Sequence, residues 1–311
     1  RARELAKGSP RLEGNPTELP SLKPSISDEH IIYNWVKVDL FEAHAELTVL
    51  VGSDSDWLIR TALELDDVFC RLRFDYPRLG TLILRTEGAI DDIVRQDSEL
   101  IDPSTSDQLE IQLLWRRCLT RLDLTAKTLV TAIEPGSCFV GILFELALAC
   151  DRIFMLDGQF EDHENPLPAA PIQLTKTNFG VMPMWNEISR LTSRFWGDRE
   201  ASIHLAAFSG TEILAAQAAE LGLVSATPDD LDWDDELRLF VEERSSFSAD
   251  ALTAMEANQR FAGPETMATK IFARLSAWQN WVFTRPNASG PSGALQRYGS
   301  GSRAEFDNRR T

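Results

Sequence analysis

Three stretches of the 311-residue chain place side chains capable of chemistry close together. The string EPGSCFVGILFELALACDR (134–152) sets Ser137 and Cys138 on a Pro135–Gly136 turn, where either could be a nucleophile if a base stood beside it. No His lies nearby in sequence to activate them, and turn geometry accounts for both. His163 stands with Glu161, Asp162 and Glu164 in an acidic loop, a set of residue types found at metal sites. A single His among flexible carboxylates lacks ligand geometry, so a solvated loop is the better reading. Trp278, Trp281 and Phe283 fall on one long predicted helix and could line a substrate pocket, although such a stripe is more often packing or a subunit contact. Cys70, Cys118, Cys138 and Cys150 are scattered, with no C-x-x-C pair and no His at ligand spacing, which argues against zinc and against a disulfide framework. Cys70, Cys118 and Cys150 sit in helix-like apolar patterns, as small buried hydrophobes do in a reducing compartment, and the expected location is the cytoplasm.

The elements that must hold these residues alternate in kind. Residues 1–30 open on a helix-like string, RARELAKGSP, and continue through Gly14, Pro16, Pro20 and Pro24 as a linker. Runs 31–40 and 45–52 alternate apolar and polar side chains at strand period, 57–73 has largely helical spacing, and 80–88 reads as a buried strand. A helix near 107–122, a strand over 128–134, a buried helix within 139–150, a strand over 151–156 and a short strand near 172–174 repeat the unit. After Pro183 the chain reads as helical at 184–196, 199–207, 211–221, 234–247, 249–260 and 264–283, with Ser248 as an N-cap and Pro264 in the first turn of the last helix. The Gly-, Ser- and Pro-rich tail is expected to wrap a surface or a partner subunit.

Length and charge narrow the function. Lys and Arg total 31 against 48 Asp and Glu, a formal charge of −17, so nucleic acid and anionic membrane faces are unfavourable partners. An anionic ligand needs a local basic patch or a helix N-terminus to offset that charge. No apolar run approaches the roughly 20 residues of a membrane span. The chain opens on Arg1 rather than Met, and it is expected to be a piece of a longer product.

The 134–152 string, in which a strand ends in a Gly turn and feeds a buried helix, resembles the crotonase (enoyl-CoA hydratase/isomerase) family. A second stretch agrees with it: FGVMP (179–183), EISRL (187–191) and TEILAAQAAELGLVSA (211–226). The closer resemblance is to the C-terminal half of the benzoyl-CoA-dihydrodiol lyases, carried by IEPGSCFVG, DDLDWDDELRL, LTAMEANQRFAGPETM, RLSAWQNWVFTRPNASGPSGAL and AEFD, and covering about 31–311. It implies an α/β crotonase-like spiral of β-β-α turns. The core would occupy 31–230, after a 1–30 segment that ends a preceding domain, and C-terminal helices and a tail would fill 231–311. It further implies ring opening of 2,3-epoxybenzoyl-CoA to 3,4-dehydroadipyl-CoA semialdehyde and formate. The CoA thioester is then the substrate, no metal or redox cofactor takes part, and the partners are a second copy or an N-terminal crotonase half.

The resemblance also assigns a site. Glu145 matches the first hydratase glutamate, an acid or base on the central helix, and its structural alternative is a buried carboxylate near a helix N-terminus. A backbone N–H at this turn would stabilise the enolate oxygen of a thioester. The Gly that donates it aligns with Ile142, one residue after Gly141. Lys176 stands where the second glutamate is expected and cannot be a carboxylate base. EGAIDDIVRQD (87–97) lacks the Gly-Ala-Asp type of turn seen in active members. These three departures favour a supporting, inactive half. Two alternatives remain open: an independent acyl-CoA lyase or hydrolase using Glu145 with Lys176, and a non-catalytic CoA-binding or assembly module.

Overall fold

The computed structural model describes residues 1, 4, 17–162, 164–260 and 262–309. His163 and all but two residues of the opening string lie outside them. Seven strands form one mixed sheet in chain order: β1 (Ser25–Ile26), β2 (His30–Ile32), β3 (Val36–Leu40), β4 (His44–Leu50), β5 (Thr81–Glu87), β6 (Thr128–Ile133) and β7 (Arg152–Met155). Pairing is antiparallel from β1 to β4 and parallel from β4 to β7. Parallel neighbours need long crossovers, and helices supply them: α1 (Trp57–Phe74) between β4 and β5, α2 (Ile90–Ser98) and α3 (Ser106–Asp123) between β5 and β6, and α4 (Ile142–Leu148) between β6 and β7. This is the crotonase-like α/β architecture expected from the sequence.

Both faces of the parallel part are covered, which explains why β5 and β6 read as apolar runs. Leu82 and Leu84 join the core under α1 and α3, where the Trp57 and Trp115 rings stack at 6.2 Å. Ile83, on the opposite face, meets Trp233, Leu237 and Phe240 of α8 (Trp233–Ser246). A third cluster joins α4 to β8 (Ile172–Gln173), β9 (Glu212–Ile213), α5 (Arg190–Arg194) and α7 (Ala215–Glu220), with α6 (Arg199–Ala206) contributing Leu205.

Several elements depart from the expected boundaries. The 31–40 run breaks at Asn34 because the buried Glu64 carboxylate takes the N–H groups of Trp35 and Val36 at 2.8 and 3.1 Å. The helix expected from 139 begins only at Ile142, since Val140 bridges Gln173 and the Gly141 N–H donates to the Gln173 carbonyl. Of 184–196 only α5 is helical, and Glu187 adopts φ 63° ahead of the Ser189 cap. Ser248 caps α9 (Ala249–Gln259) as expected. The last long helix starts at Met267 rather than 264, behind a Thr266 cap, and widens into a π turn over Lys270–Leu275 before Ser276–Phe283. The tail lies against the chain's own surface: buried Asn287 donates to Asp250 and to the Asp307 carbonyl. Among the described residues no helix is long and apolar enough to cross a membrane.

Candidate functional site

The site is built where β5 and β6 end and α4 begins. Beyond β6 the chain turns at Gly136, whose φ of 93° suits a residue without Cβ. The turn is closed by the Ser137 N–H on the Glu134 carbonyl and by the Glu134 N–H on the Ser137 hydroxyl at 3.1 Å. The Cys138 N–H donates to the Thr86 hydroxyl at 2.9 Å, tying the turn to the end of β5. Ser137 and Cys138 are thus turn-forming residues. Burial pushes the Cys138 thiol up to about 12, the reverse of what a thiolate nucleophile needs.

Glu145 projects from α4 into the protein and is 1% exposed. One carboxylate oxygen accepts from the Asn178 amide at 2.9 Å, and the other accepts from Arg190 at 2.9 Å. The same guanidinium grips Asp123 with two parallel bonds of 3.0 and 2.6 Å and donates to the Met182 carbonyl. Burial raises the pKa of Glu145, and Arg190 and Asn178 oppose that rise. A general acid or base needs access to a reacting atom, whereas both oxygens of Glu145 are held by the protein.

Lys176 opens a 3-10 turn, Lys176–Phe179, and is exposed, while Thr177 and Asn178 of the same turn are buried. Asn178 therefore reaches Glu145 and clasps the Gly141 carbonyl at 3.0 Å. Thr175 and Asn178 form a capping box that fixes the turn.

Gly141 adopts φ 50°, and the Ile142 N–H that follows is not vacant. It donates at 2.7 Å to the carboxylate of Asp97, a residue of α2 that is 1% exposed. The other Asp97 oxygen accepts from the Thr175 hydroxyl at 2.7 Å. A Cβ built on Gly141 would fall inside the Asp97 carboxylate, so Gly is required here by contact as well as by φ. Among the described residues no Lys, Arg or His pairs with Asp97. Burial raises its pKa, against the lowering influence of the Thr175 and Ile142 bonds and of the nearby Thr177 hydroxyl.

The structure thus brings Gly141, Ile142 and Glu145 together and leaves Lys176 at the surface. It adds Asp97, Asp123, Asn178 and Arg190, which the sequence reading did not single out. Asp97 did carry a signal: Ile93, Gln96, Asp97 and Leu100 fall on one helical stripe, and all four are buried. A cavity of about 700 Å³ lies between the end of α3, α9 and the last long helix; Asp123, Lys127, Trp185, Arg260 and Trp278 line it, and Gly141, Ile142, Glu145 and Lys176 do not. Trp281 packs edge-on against Trp278 at 5.4 Å, and Phe283 is exposed. Among the described residues no group of three or more His, Cys, Asp or Glu is arranged to hold a metal ion.

No family model matches the chain. It is 39% identical, over 99% of its length, to benzoyl-CoA-dihydrodiol lyase of Aromatoleum evansii, and it spans 57% of that relative. Solved enoyl-CoA hydratases share its fold at low identity. That of Geobacillus kaustophilus superposes with a TM-score of 0.67 at 16% identity, over 93% of this chain and 100% of that one. That of Bacillus anthracis gives 0.63 at 15%, over 88% and 99%. The fold is crotonase-like, and the chain is a relative of the lyase.

Proposed function

We propose that this chain is the supporting half of a benzoyl-CoA-dihydrodiol lyase. The whole protein opens the ring of 2,3-epoxybenzoyl-CoA to 3,4-dehydroadipyl-CoA semialdehyde and formate without a metal or redox cofactor, and this half shapes and assembles it. The 39% identity to the lyase supports the substrate class. The observation that carries the supporting role is the state of Glu145, which spends both oxygens on Arg190 and Asn178 instead of facing a ligand. Subunit contact is assigned to the last long helix, where Met267 and Phe272 stand exposed at 79% and 75%.

The test replaces Glu145 by Gln and, separately, the exposed Lys176 by Met in the full natural polypeptide. Formate release from 2,3-epoxybenzoyl-CoA is followed per mole of folded protein. Turnover is expected to change less than about threefold in both. A loss of about 10²-fold or more in either, with the folded fraction unchanged, is the size of a general acid–base contribution and would overturn the proposal.

A further inference from the structure

A buried carboxylate without a cation is expensive, and proteins retain one only where other groups hold it. Asp97 is such a group. Its partners are the Ile142 N–H and the Thr175 hydroxyl, one on each oxygen, both at 2.7 Å. A second hydroxyl, Thr177, is fully buried and left without a hydrogen-bond partner, near enough to the same carboxylate to lower its pKa. The fourth wall is the Cβ-free face of Gly141. The polar neighbours named here are donors, and Gly141 presents bare backbone. Such surroundings would receive a free carboxylate equally well, and a single Cα–Cβ connection makes this one part of the chain.

We propose that Ile142, Thr175, Thr177 and Gly141 form a binding site for a small monocarboxylate, and that Asp97 fills it from within as a tethered ligand. The inference rests on this local geometry and stands apart from the reading of the whole protein. It explains why the N–H of Ile142, the candidate oxyanion donor, is unavailable to a thioester. It also gives Thr177 a role, and makes the left-handed Gly141 a fit to the ligand rather than only a turn. Removing the tether leaves a pocket of the right polarity for acetate or formate, whereas a neutral or cationic solute finds no partner there.

The experiment uses Asp97→Gly in the full polypeptide, which vacates the Cβ position that the acetate methyl must occupy, with acetate as probe because formate is a candidate product of the whole enzyme. The variant is expected to melt below the wild type and to recover with acetate in a saturable way. At a tenfold excess over Kd the recovery is about 2 °C, beyond that given by sodium chloride of equal ionic strength. The wild type, whose site is filled, gains no more from acetate than from chloride. Equal effects of the two salts on Asp97→Gly, or equal acetate gains in variant and wild type, would overturn the proposal.

Should Asp97→Gly fail to fold, the isosteric Asp97→Asn carries the test through the Ile142 amide, observed with 15N-isoleucine and 13C-glycine labels. Loss of the charged acceptor is expected to move that resonance upfield. An unmoved resonance would show that the Asp97 carboxylate does not hold this N–H. In the same way, Gly141→Ala should destabilise less in Asp97→Gly than in the wild type, and strictly additive costs would remove the steric contact from the argument.

Discussion

Arg190→Met removes the positive charge that pairs with both Glu145 and Asp123, which are 1% and 5% exposed. Two carboxylates are then left within the core, along with a Met182 carbonyl that has lost its donor. Breaking a buried ion pair by deleting one partner costs about 3–5 kcal/mol, because the remaining charge is desolvated without compensation. Glu145→Gln is milder. It leaves Arg190 and Asp123 as a neutral pair and sacrifices one hydrogen bond, since the amide can accept from Asn178 or from Arg190 but not from both; the cost is about 1–3 kcal/mol. The two variants are compared by urea unfolding at a common pH of 7. At a slope of about 3 kcal/mol per M, Arg190→Met should displace the midpoint by about 1–1.7 M, and Glu145→Gln by clearly less. If Glu145→Gln proves equal or worse, or if Arg190→Met shifts the midpoint by under about 0.3 M, the network does not hold this region together and the structural role given to Glu145 fails.

Glu256 of α9 accepts from Thr128 and lies beside Asp151 and Arg260; burial and the neighbouring Asp151 push its pKa up to about 8. A raised carboxyl pKa means that the folded state keeps a proton the unfolded chain releases, so stability should fall as pH rises from the ordinary glutamate value of 4.5 to about 8, then level off. Melting temperatures across that window should show this slope in the wild type and a flatter one in Glu256→Gln. Among the four thiols, partly exposed Cys70 should be alkylated first by iodoacetamide at pH 8. Cys138, buried and pushed up to about 12, should stay unmodified in mass spectra of the native protein, and early labelling there would reopen the nucleophile reading.

How much could be read in advance follows the physics of each feature. The strands and long helices write themselves as period 2 and period 3.6, so β4 to β7, α1, α3, α8 and α9 were legible to within a few residues. The α2 helix was missed because its sequence, IDDIVRQDS, is dominated by charge, and a stripe carrying Gln96 and Asp97 does not look apolar. The 184–196 reading overshot because local spacing cannot foresee the Glu187 conformation or the Ser189 cap. At the site, the resemblance pointed to Gly141, Ile142 and Glu145. It could not say what each one touches, because their partners come from remote segments: Arg190 lies 45 residues beyond Glu145, and Asp97 lies 45 before Ile142. One-dimensional pattern carries no record of such pairings.

Neighbouring residues at the end of α2 reach in different directions. Gln96 donates to the carbonyls of Gly52 and Asp54, 44 and 42 residues earlier, while Asp97 meets partners 45 and 78 residues later. Contacts of such separation cannot form until the loops between them have closed. The end of this short helix is therefore held by the loop after β4, the start of α4 and the Thr175 turn together, and a substitution at Gln96 or Asp97 reaches segments far apart in the chain.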